Sequence, residues 1–277
     1  MGEKRPSDES VAHDAAQVAV HGDCVTFRPI KPIERGEELT FTYTDLYIPR
    51  ADRQEKLLGS HCFQCACPRC TDDSLSSLDA KITGFGCRAC GDADAVVPLD
   101  KGICSVCGKR PDGGIRHLQQ AYIESVKRLQ QAEASFEQGK HDRARDIFET
   151  LLADFGEELY RSHVVIYSSL HHLTQLCATL GDLAAAAAYC RRAIRCLQEV
   201  FPPYHTETAM MHRELGHIEW RRLFAEGAAA PSPAVAAFDA ALAIVGVCLG
   251  EGRDAYAELR GARARCGAGE APPAARW

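Results

Sequence analysis

Apolar residues recur at helical spacing through the second half of the chain, and this pattern predicts a series of α-helices. The patterns cover residues 117–138, 142–155, 162–180, 183–200, 206–225 and 234–249. Nearer the N-terminus, alternating residues predict strands at 24–29 and 39–43, and residues 50–59 predict a short helix. The predicted fold class is α+β, with a small β-rich region followed by an α-helical domain.

Two of the helical segments share one spacing of small and large apolar residues. Gly139 is followed by Ala144, Phe148 and Leu151, and Gly181 is followed at the same offsets by Ala186, Cys190 and Ala193. A glycine that ends one helix, then small and large apolar residues on the next, is typical of tetratricopeptide repeats. The alternative is a generic antiparallel bundle. Both interpretations predict an α-helical stack over residues 114–265.

Between the β-rich and helical regions, residues 61–113 show little periodicity and are dominated by cysteine, glycine and proline. Eight of the 14 cysteines of the chain lie between Cys62 and Cys107. The first ten residues are polar and contain no apolar core of the kind that signal peptides carry. Clustered cysteines in a protein without a secretion signal favour metal binding over disulfides, so we expect a cytoplasmic or nuclear location.

The strongest metal motif consists of two matching knuckles. Cys87-Arg-Ala-Cys90-Gly and Cys104-Ser-Val-Cys107-Gly each place two residues between cysteines, which lets both thiolates of a pair face one ion. The intervening residues are enough for a short β-hairpin that returns to the metal. Four thiolates form a closed tetrahedral zinc site, so the predicted role is structural.

A second cluster, Cys65-Ala-Cys67-Pro-Arg-Cys70, offers three thiolates. Candidates for a fourth ligand are Cys62, Cys24 and, more weakly, His61. Three protein ligands with a water are typical of catalytic zinc. Because no partnering base is evident nearby, we prefer a structural site completed from elsewhere, which gives two zinc ions in total.

Composition narrows the classes of partner. Hydrophobic residues make up 46% of the chain, and the formal net charge is −6, with 32 basic and 38 acidic residues. The sequence contains no long basic run of the kind that would indicate nucleic-acid binding. It also contains no apolar stretch that is long enough to span a bilayer. Helical-repeat stacks usually bind peptides on their concave surface, so the helical region is expected to bind a protein substrate or a protein partner.

The string GEELTFTYTD at residues 36–45 is followed by Asp52-Arg53 and then by HCFQCACPRC at residues 61–70. Together these motifs resemble the end of a SET domain and its post-SET cysteines, in the version of the SET and MYND domain family of protein-lysine methyltransferases. The helical domain that follows is similar to the tetratricopeptide-like domain of that family. The knuckle pair resembles an insert seen in some relatives.

The resemblance implies roles for individual residues. Tyr43 matches the catalytic tyrosine, whose hydroxyl would orient the lysine amine towards the methyl group of S-adenosylmethionine. Phe63 matches an aromatic residue that packs against the adenine of this cofactor. Cys65, Cys67 and Cys70 match the post-SET zinc ligands. The plainer interpretations are that Tyr43 ends a strand and that Phe63 is a core residue beside zinc.

The chain also departs from the family pattern. The cofactor-binding asparagine-histidine-x-cysteine segment, which also supplies the fourth zinc cysteine, is expected shortly before Cys24, but residues 9–15 contain no asparagine. His61 replaces a residue that is often aromatic, and we find neither the N-terminal half of the SET domain nor the MYND finger. The chain is expected to be the C-terminal part of a longer enzyme.

These features predict four regions: the C-terminal part of a SET-like domain (1–60), the post-SET cluster and zinc ribbon (61–113), the helical domain (114–265) and a disordered tail (266–277). The favoured function is that of a partial S-adenosylmethionine-dependent protein-lysine methyltransferase, of the histone-lysine type, that is inactive as an isolated chain. The cofactor is implied for the intact parent enzyme. The alternative is a non-catalytic zinc-binding, helical-repeat module for protein interactions.

Overall fold

The computed structural model describes residues 16–21, 24–227 and 232–273. Within this part of the chain, residues 42–169 form a first compact unit, and residues 16–41 together with 170–273 form a second. The predicted boundaries at residues 60, 113 and 265 follow changes in sequence composition. The two compact units are divided at different residues, so these boundaries stay predictions.

The described elements follow one another along the chain as short strands, short helices and then long helices. They are β1 (Ala16–His21), β2 (Cys24–Pro29), α1 (Arg50–His61), α2 (Pro68–Thr71), α3 (Leu78–Thr83), β3 (Phe85–Gly86), β4 (Val96–Val97), α4 (Gly114–Glu137), α5 (His141–Phe155), α6 (Val164–Thr179), α7 (Leu183–Val200), α8 (Thr206–Ala225), α9 (Ser232–Cys248) and α10 (Asp254–Gly267). The small amount of β structure and the long helices confirm the predicted α+β class.

In the first unit, α4 and α5 pack against each other, and the repeat positions of α5 are fully buried: Ala144, Phe148 and Leu151. The hairpin of β3 and β4 pairs Phe85 with Val97 and Gly86 with Val96 in antiparallel register. Its apolar side chains are buried as well, and Val96 packs with Ala80 of α3 and Tyr160. The hairpin therefore shares a core with the neighbouring helices.

In the second unit, α7, α8, α9 and α10 pack successively, and β1 pairs with β2 in an antiparallel hairpin. The repeat positions of α7 are fully buried here too: Ala186, Cys190 and Ala193. Phe238 and Trp220 occupy the core between α8 and α9, and the Trp220 indole N–H donates to the Glu270 carbonyl at 2.9 Å. The burial of Cys177, Cys190 and Cys196 confirms that these cysteines are small core residues. The assignment of the helical stack to the tetratricopeptide class stays a prediction.

Two local predictions need correction, and one helix was missed. Residues 39–43 form no strand. Within the described residues, the backbone hydrogen bond between this segment and a strand is donated by the Ala16 N–H of β1 to the Thr40 carbonyl, at 3.1 Å. A strand needs a ladder of hydrogen bonds to a neighbouring strand, and a single bond does not make one.

Helix α10 was not predicted. It continues through the buried Cys266, so the tail is ordered there and at Glu270, while residues 274–277 lie outside the described part.

No helix in the described part of the chain has the length and apolar character needed to cross a bilayer.

We expect Gly216→Ala to destabilise the second unit by about 1–3 kcal/mol through overpacking. A Cβ atom at Gly216 in α8 would lie 2.8 Å from the ring of Phe238. This ring is fully buried and makes an edge-on contact with Trp220, so it has little room to move. The free energy of unfolding tests this, measured in urea by tryptophan fluorescence, to which the buried Trp220 contributes.

The matched control is Gly261→Ala in α10, where an added Cβ meets no atom within 4 Å. Alanine is favoured over glycine inside a helix by about 1 kcal/mol, so the control should be neutral or stabilising. Equal stability of the two variants would contradict the packing argument.

Candidate metal centres and the neighbouring aromatic cluster

The two predicted knuckles meet beside the β3–β4 hairpin of the first unit. Cys87 follows β3 directly, and its N–H donates to the Ala95 carbonyl at 3.3 Å, whereas the Ser105 N–H donates to the Val96 carbonyl at 2.8 Å. The glycines after the second cysteine of each knuckle, Gly91 and Gly108, have φ values of 64° and 66°. This left-handed conformation is easily adopted by glycine, which explains why both knuckles end on it.

The four sulfurs of the ribbon have the spacing that zinc requires. Cys87 Sγ lies 3.8 Å from Cys107 Sγ, and Cys90 Sγ lies 3.9 Å from Cys104 Sγ. All four sulfurs lie within 4.8 Å of one another. A tetrahedron of sulfurs about 2.3 Å from a central zinc has edges of about 3.8 Å. The donor set therefore fits a closed four-thiolate zinc site.

Hydrogen bonds from the backbone lower the pKa of one of these thiols, that of Cys104. Burial raises the pKa of Cys104, but the N–H groups of Val106 and Cys107 each donate to its sulfur at 3.4 Å and lower the pKa to about 7. Burial raises the pKa of Cys87 above its ordinary value. Since metals bind the thiolate form, the lowered pKa of Cys104 favours metal binding at this sulfur.

Cys65, Cys67 and Cys70 form the second cluster, with their sulfurs within 4.8 Å of one another. Helix α1 ends at His61 and is followed by Cys62 in a left-handed conformation (φ 58°). The chain then turns back and places Cys67 just before α2. The side chain of Gln54 holds this segment against α1. Its amide nitrogen donates to the Cys65 carbonyl at 2.7 Å, and its amide oxygen accepts from the Cys65 N–H at 2.9 Å.

The candidates for a fourth ligand do not join this cluster. Within the described residues, no fourth histidine, cysteine, aspartate or glutamate belongs to the group formed by the three sulfurs. Cys62 and His61 are exposed. Residues 9–15, where the resemblance places the segment that supplies a further cysteine, lie outside the described residues. The identity of the fourth ligand stays open.

A group of buried charged side chains adjoins the second cluster, and this group was not predicted. Arg53, Arg69 and Asp79 are only 3%, 5% and 7% exposed. Hydrogen bonds from Cys67 and from Arg53, and the charge of Arg53, together lower the pKa of Cys70 to about 5 against the effect of burial. The bond to Cys70, together with burial, raises the pKa of Cys67. Arg53 stands four residues before the buried Leu57 on α1, and this spacing was the available signal that it faces inward.

The predicted catalytic and cofactor residues lie together beside this cluster. The Tyr43 ring is 6.0 Å from the Phe63 ring and 5.0 Å from the His61 ring, both in edge-to-face geometry. Tyr43 is 52% exposed and Phe63 is 38% exposed, so the group forms an open aromatic surface. The structure thus brings Tyr43 and Phe63 together, while their catalytic and cofactor-binding roles stay predictions.

No family model matches the chain, but several curated proteins are similar to it. The chain is 25% identical to human protein-lysine N-methyltransferase SMYD4 over 213 residues, which are 74% of this chain and 25% of that protein. It is 24% identical to N-lysine methyltransferase SMYD2 of Gallus gallus over 205 residues, which are 73% of this chain and 41% of that protein. A 68-residue segment, 24% of this chain, is 40% identical to a SET and MYND domain-containing protein of Dictyostelium discoideum and covers 18% of that protein.

The chain spans less than half the length of each of these relatives. Their names confirm the resemblance that the motifs around Tyr43 and the post-SET cysteines indicated. Over about 73% of its length, the chain is similar to part of the SET and MYND domain-containing protein-lysine methyltransferases.

Proposed function

We propose that residues 43–70 are part of the active site of an S-adenosylmethionine-dependent protein-lysine methyltransferase, and that the two cysteine clusters hold zinc. The observation that carries this proposal is the contact between Tyr43 and Phe63, 6.0 Å apart, directly before the Cys65, Cys67 and Cys70 cluster. The sequence alone suggested the roles of these residues from separate motifs. Their association in one cluster, together with the methyltransferase relatives, supports a shared site.

Each side chain of the cluster has a task in this proposal. S-adenosylmethionine supplies an electrophilic methyl group when it is bound. Phe63 offers a flat apolar face to the adenine ring, as aromatic side chains do for other rings. The Tyr43 hydroxyl accepts a hydrogen bond from the substrate amine and orients its lone pair. The edge contact from His61, at 5.0 Å, restricts the ring of Tyr43.

The zinc ions have structural roles in the proposed enzyme. The four-thiolate ribbon has no open coordination position, so it cannot bind a substrate at the metal. The second zinc fixes residues 65–70 and, through them, the position of Phe63. Thiolate ligands require a reducing compartment, so we propose that the protein works in the cytoplasm or the nucleus. We also propose that the helical region contacts the protein substrate or a protein partner.

We expect the isolated 277-residue chain to bind S-adenosylmethionine weakly and to transfer no methyl groups. Tyr43 and Phe63 are 52% and 38% exposed, and water competes for every hydrogen bond that an open surface offers. Titration calorimetry with the cofactor, paired with a radiolabelled methyl-transfer assay on histones and cytosolic proteins, tests this. Tyr43→Phe is the matched variant, because it removes the hydroxyl and keeps the ring.

Cofactor binding separates the enzyme from the alternative, a non-catalytic zinc and helical module for protein interactions. The exposure of Tyr43 favours the alternative for the isolated chain. Tight cofactor binding, with methyl transfer that Tyr43→Phe abolishes, would contradict the expected inactivity and support the role of Tyr43. Cofactor binding that is unchanged by Phe63→Ala would contradict the proposed contact with adenine.

A further inference from the structure

Helix α1 holds both ends of the segment that carries the second cysteine cluster. Gln54 makes two hydrogen bonds to the backbone of Cys65, the first cysteine of the cluster. The preceding residue, Arg53, donates from Nη2 to the sulfur of Cys70, the last cysteine, at 3.7 Å. Two successive residues of one helix thus fix the beginning and the end of the candidate ligand set.

The guanidinium of Arg53 is itself held in one orientation. Its Nη1 donates to Asp79 Oδ1 at 3.0 Å and to the Ile48 carbonyl at 2.7 Å, and its Nη2 donates to Asp79 Oδ2 at 2.8 Å. Because a guanidinium is planar and rigid, the two-point contact with Asp79 also sets the direction of the Nη2 N–H bonds. The donor to Cys70 is therefore preorganised.

The Arg53 guanidinium lies between the Asp79 carboxylate and the Cys70 sulfur in a buried charged group. Arg69 also donates to Asp79, at 3.4 Å, so one carboxylate is shared by two guanidinium groups. All three side chains are almost fully buried, and a buried charge is costly unless another charge compensates it. A zinc ion with three thiolate ligands has a net charge of −1. A thiolate at Cys70 places part of this negative charge 3.7 Å from Arg53 Nη2.

We propose that Arg53 is a positioning residue for the metal of the Cys65, Cys67 and Cys70 site, and that it compensates the negative charge of the zinc–thiolate group through Cys70. This inference rests on the proposed zinc site. Hydrogen bonds from outside the ligand shell orient metal ligands and strengthen binding, and their loss typically lowers metal affinity by about 10–100-fold.

The test is the rate at which the full chain releases zinc to an excess of the chromophoric chelator 4-(2-pyridylazo)resorcinol. The ribbon site serves as an internal reference, because none of its four cysteines is bonded to Arg53. We expect Arg53→Met to speed release of one zinc by about 10–100-fold and to leave the other unchanged. Arg53→Lys should have an intermediate effect, because it keeps the charge and loses the rigid fork.

Arg50→Met is the matched control. Arg50 lies one turn earlier on α1 and donates to Asp73 at 2.7 Å and to the Asp72 carbonyl. Its loss should leave both release rates at the wild-type values. An equal acceleration by Arg50→Met would overturn the specific role of Arg53 and would indicate a general effect of positive charge on α1.

A second measurement covers the case in which Arg53→Met does not fold. Cobalt(II) bound to thiolates has a sulfur-to-metal charge-transfer absorption, and loss of the hydrogen bond to Cys70 should shift this band in Arg53→Lys. Wild-type release rates and an unshifted band in folded Arg53→Lys would overturn the inference and leave the zinc proposal intact. A different result would be one zinc ion in the wild-type chain and none in Cys90→Ser. This would contradict the second zinc site itself, and the inference with it.

Discussion

Cys90→Ser is expected to remove one of two zinc ions from the protein and to unfold the ribbon around β3 and β4. The four sulfurs, with pair distances of 3.8 and 3.9 Å, form a complete zinc site that serine cannot complete, because its hydroxyl does not ionise as a thiol does. Structural zinc sites contribute about 10–16 kcal/mol of apparent binding free energy. The two strands have two residues each, so their pairing alone does not hold the two cysteine loops together without metal.

The measurement combines zinc content with secondary structure. Elemental analysis of protein purified under reducing conditions should give two zinc ions per wild-type chain and one per Cys90→Ser chain. Far-ultraviolet circular dichroism should change little, because α4 to α10 are packed around their own buried side chains. Limited proteolysis should then cut the variant between Cys87 and Cys107.

Val106→Ala is the matched control within the same knuckle. Val106 is 56% exposed, and it contacts the Cys104 sulfur through its backbone N–H, which alanine keeps. This variant should hold both zinc ions and resist the protease. Full zinc content in Cys90→Ser, or folded wild-type protein without zinc, would contradict the ribbon site.

The metal ribbon could be predicted from the sequence because its geometry is local. Two residues between cysteines and a glycine after the second already bring two thiolates together, and the structure joins the two pairs. Long helices with clear apolar periodicity, such as α7 and α8, were also predicted with their observed bounds. Helix α10 was missed because its buried residues are mostly small, with Ala262 and Cys266 beside Leu259. A face of this kind gives little hydrophobic contrast.

Features that depend on distant parts of the chain were not predictable in the same way. The alternating pattern at residues 39–43 predicts a strand, but strand formation depends on neighbours that no local pattern specifies. The buried cluster of Arg53, Arg69 and Asp79 was missed for a related reason. Charged residues are nearly always exposed, so their identity argues against burial until the partners that compensate them are known.

Asp79→Asn is expected to destabilise the first unit by about 3–5 kcal/mol, the usual cost of removing one partner from a buried ion pair. Asp79 accepts from Arg53 at 2.8 and 3.0 Å and from Arg69 at 3.4 Å, and it is 7% exposed. Asparagine keeps the shape but loses the negative charge, and its amide group turns a donor towards two guanidinium groups. Urea denaturation at neutral pH, followed by circular dichroism, measures the loss. Asp73→Asn is the matched control, because Asp73 pairs with Arg50 at the exposed surface and should matter little.

The effect of Asp79→Asn should also depend on pH. Burial raises the pKa of Asp79, but the hydrogen bond from Arg53 and the charges of Arg69, Arg53 and Arg50 lower it by more, so the pKa lies below the ordinary value. A carboxyl with a depressed pKa stabilises the folded state fully above its unfolded pKa of about 3.9, and the stabilisation is lost as the pH falls through the folded pKa. The stability difference between wild type and Asp79→Asn should therefore stay constant from neutral pH down to about pH 5 and shrink below about pH 4. A difference that persists unchanged at low pH, or an Asp79→Asn protein as stable as Asp73→Asn, would contradict the role of Asp79 as the buried counter-ion of the two arginines.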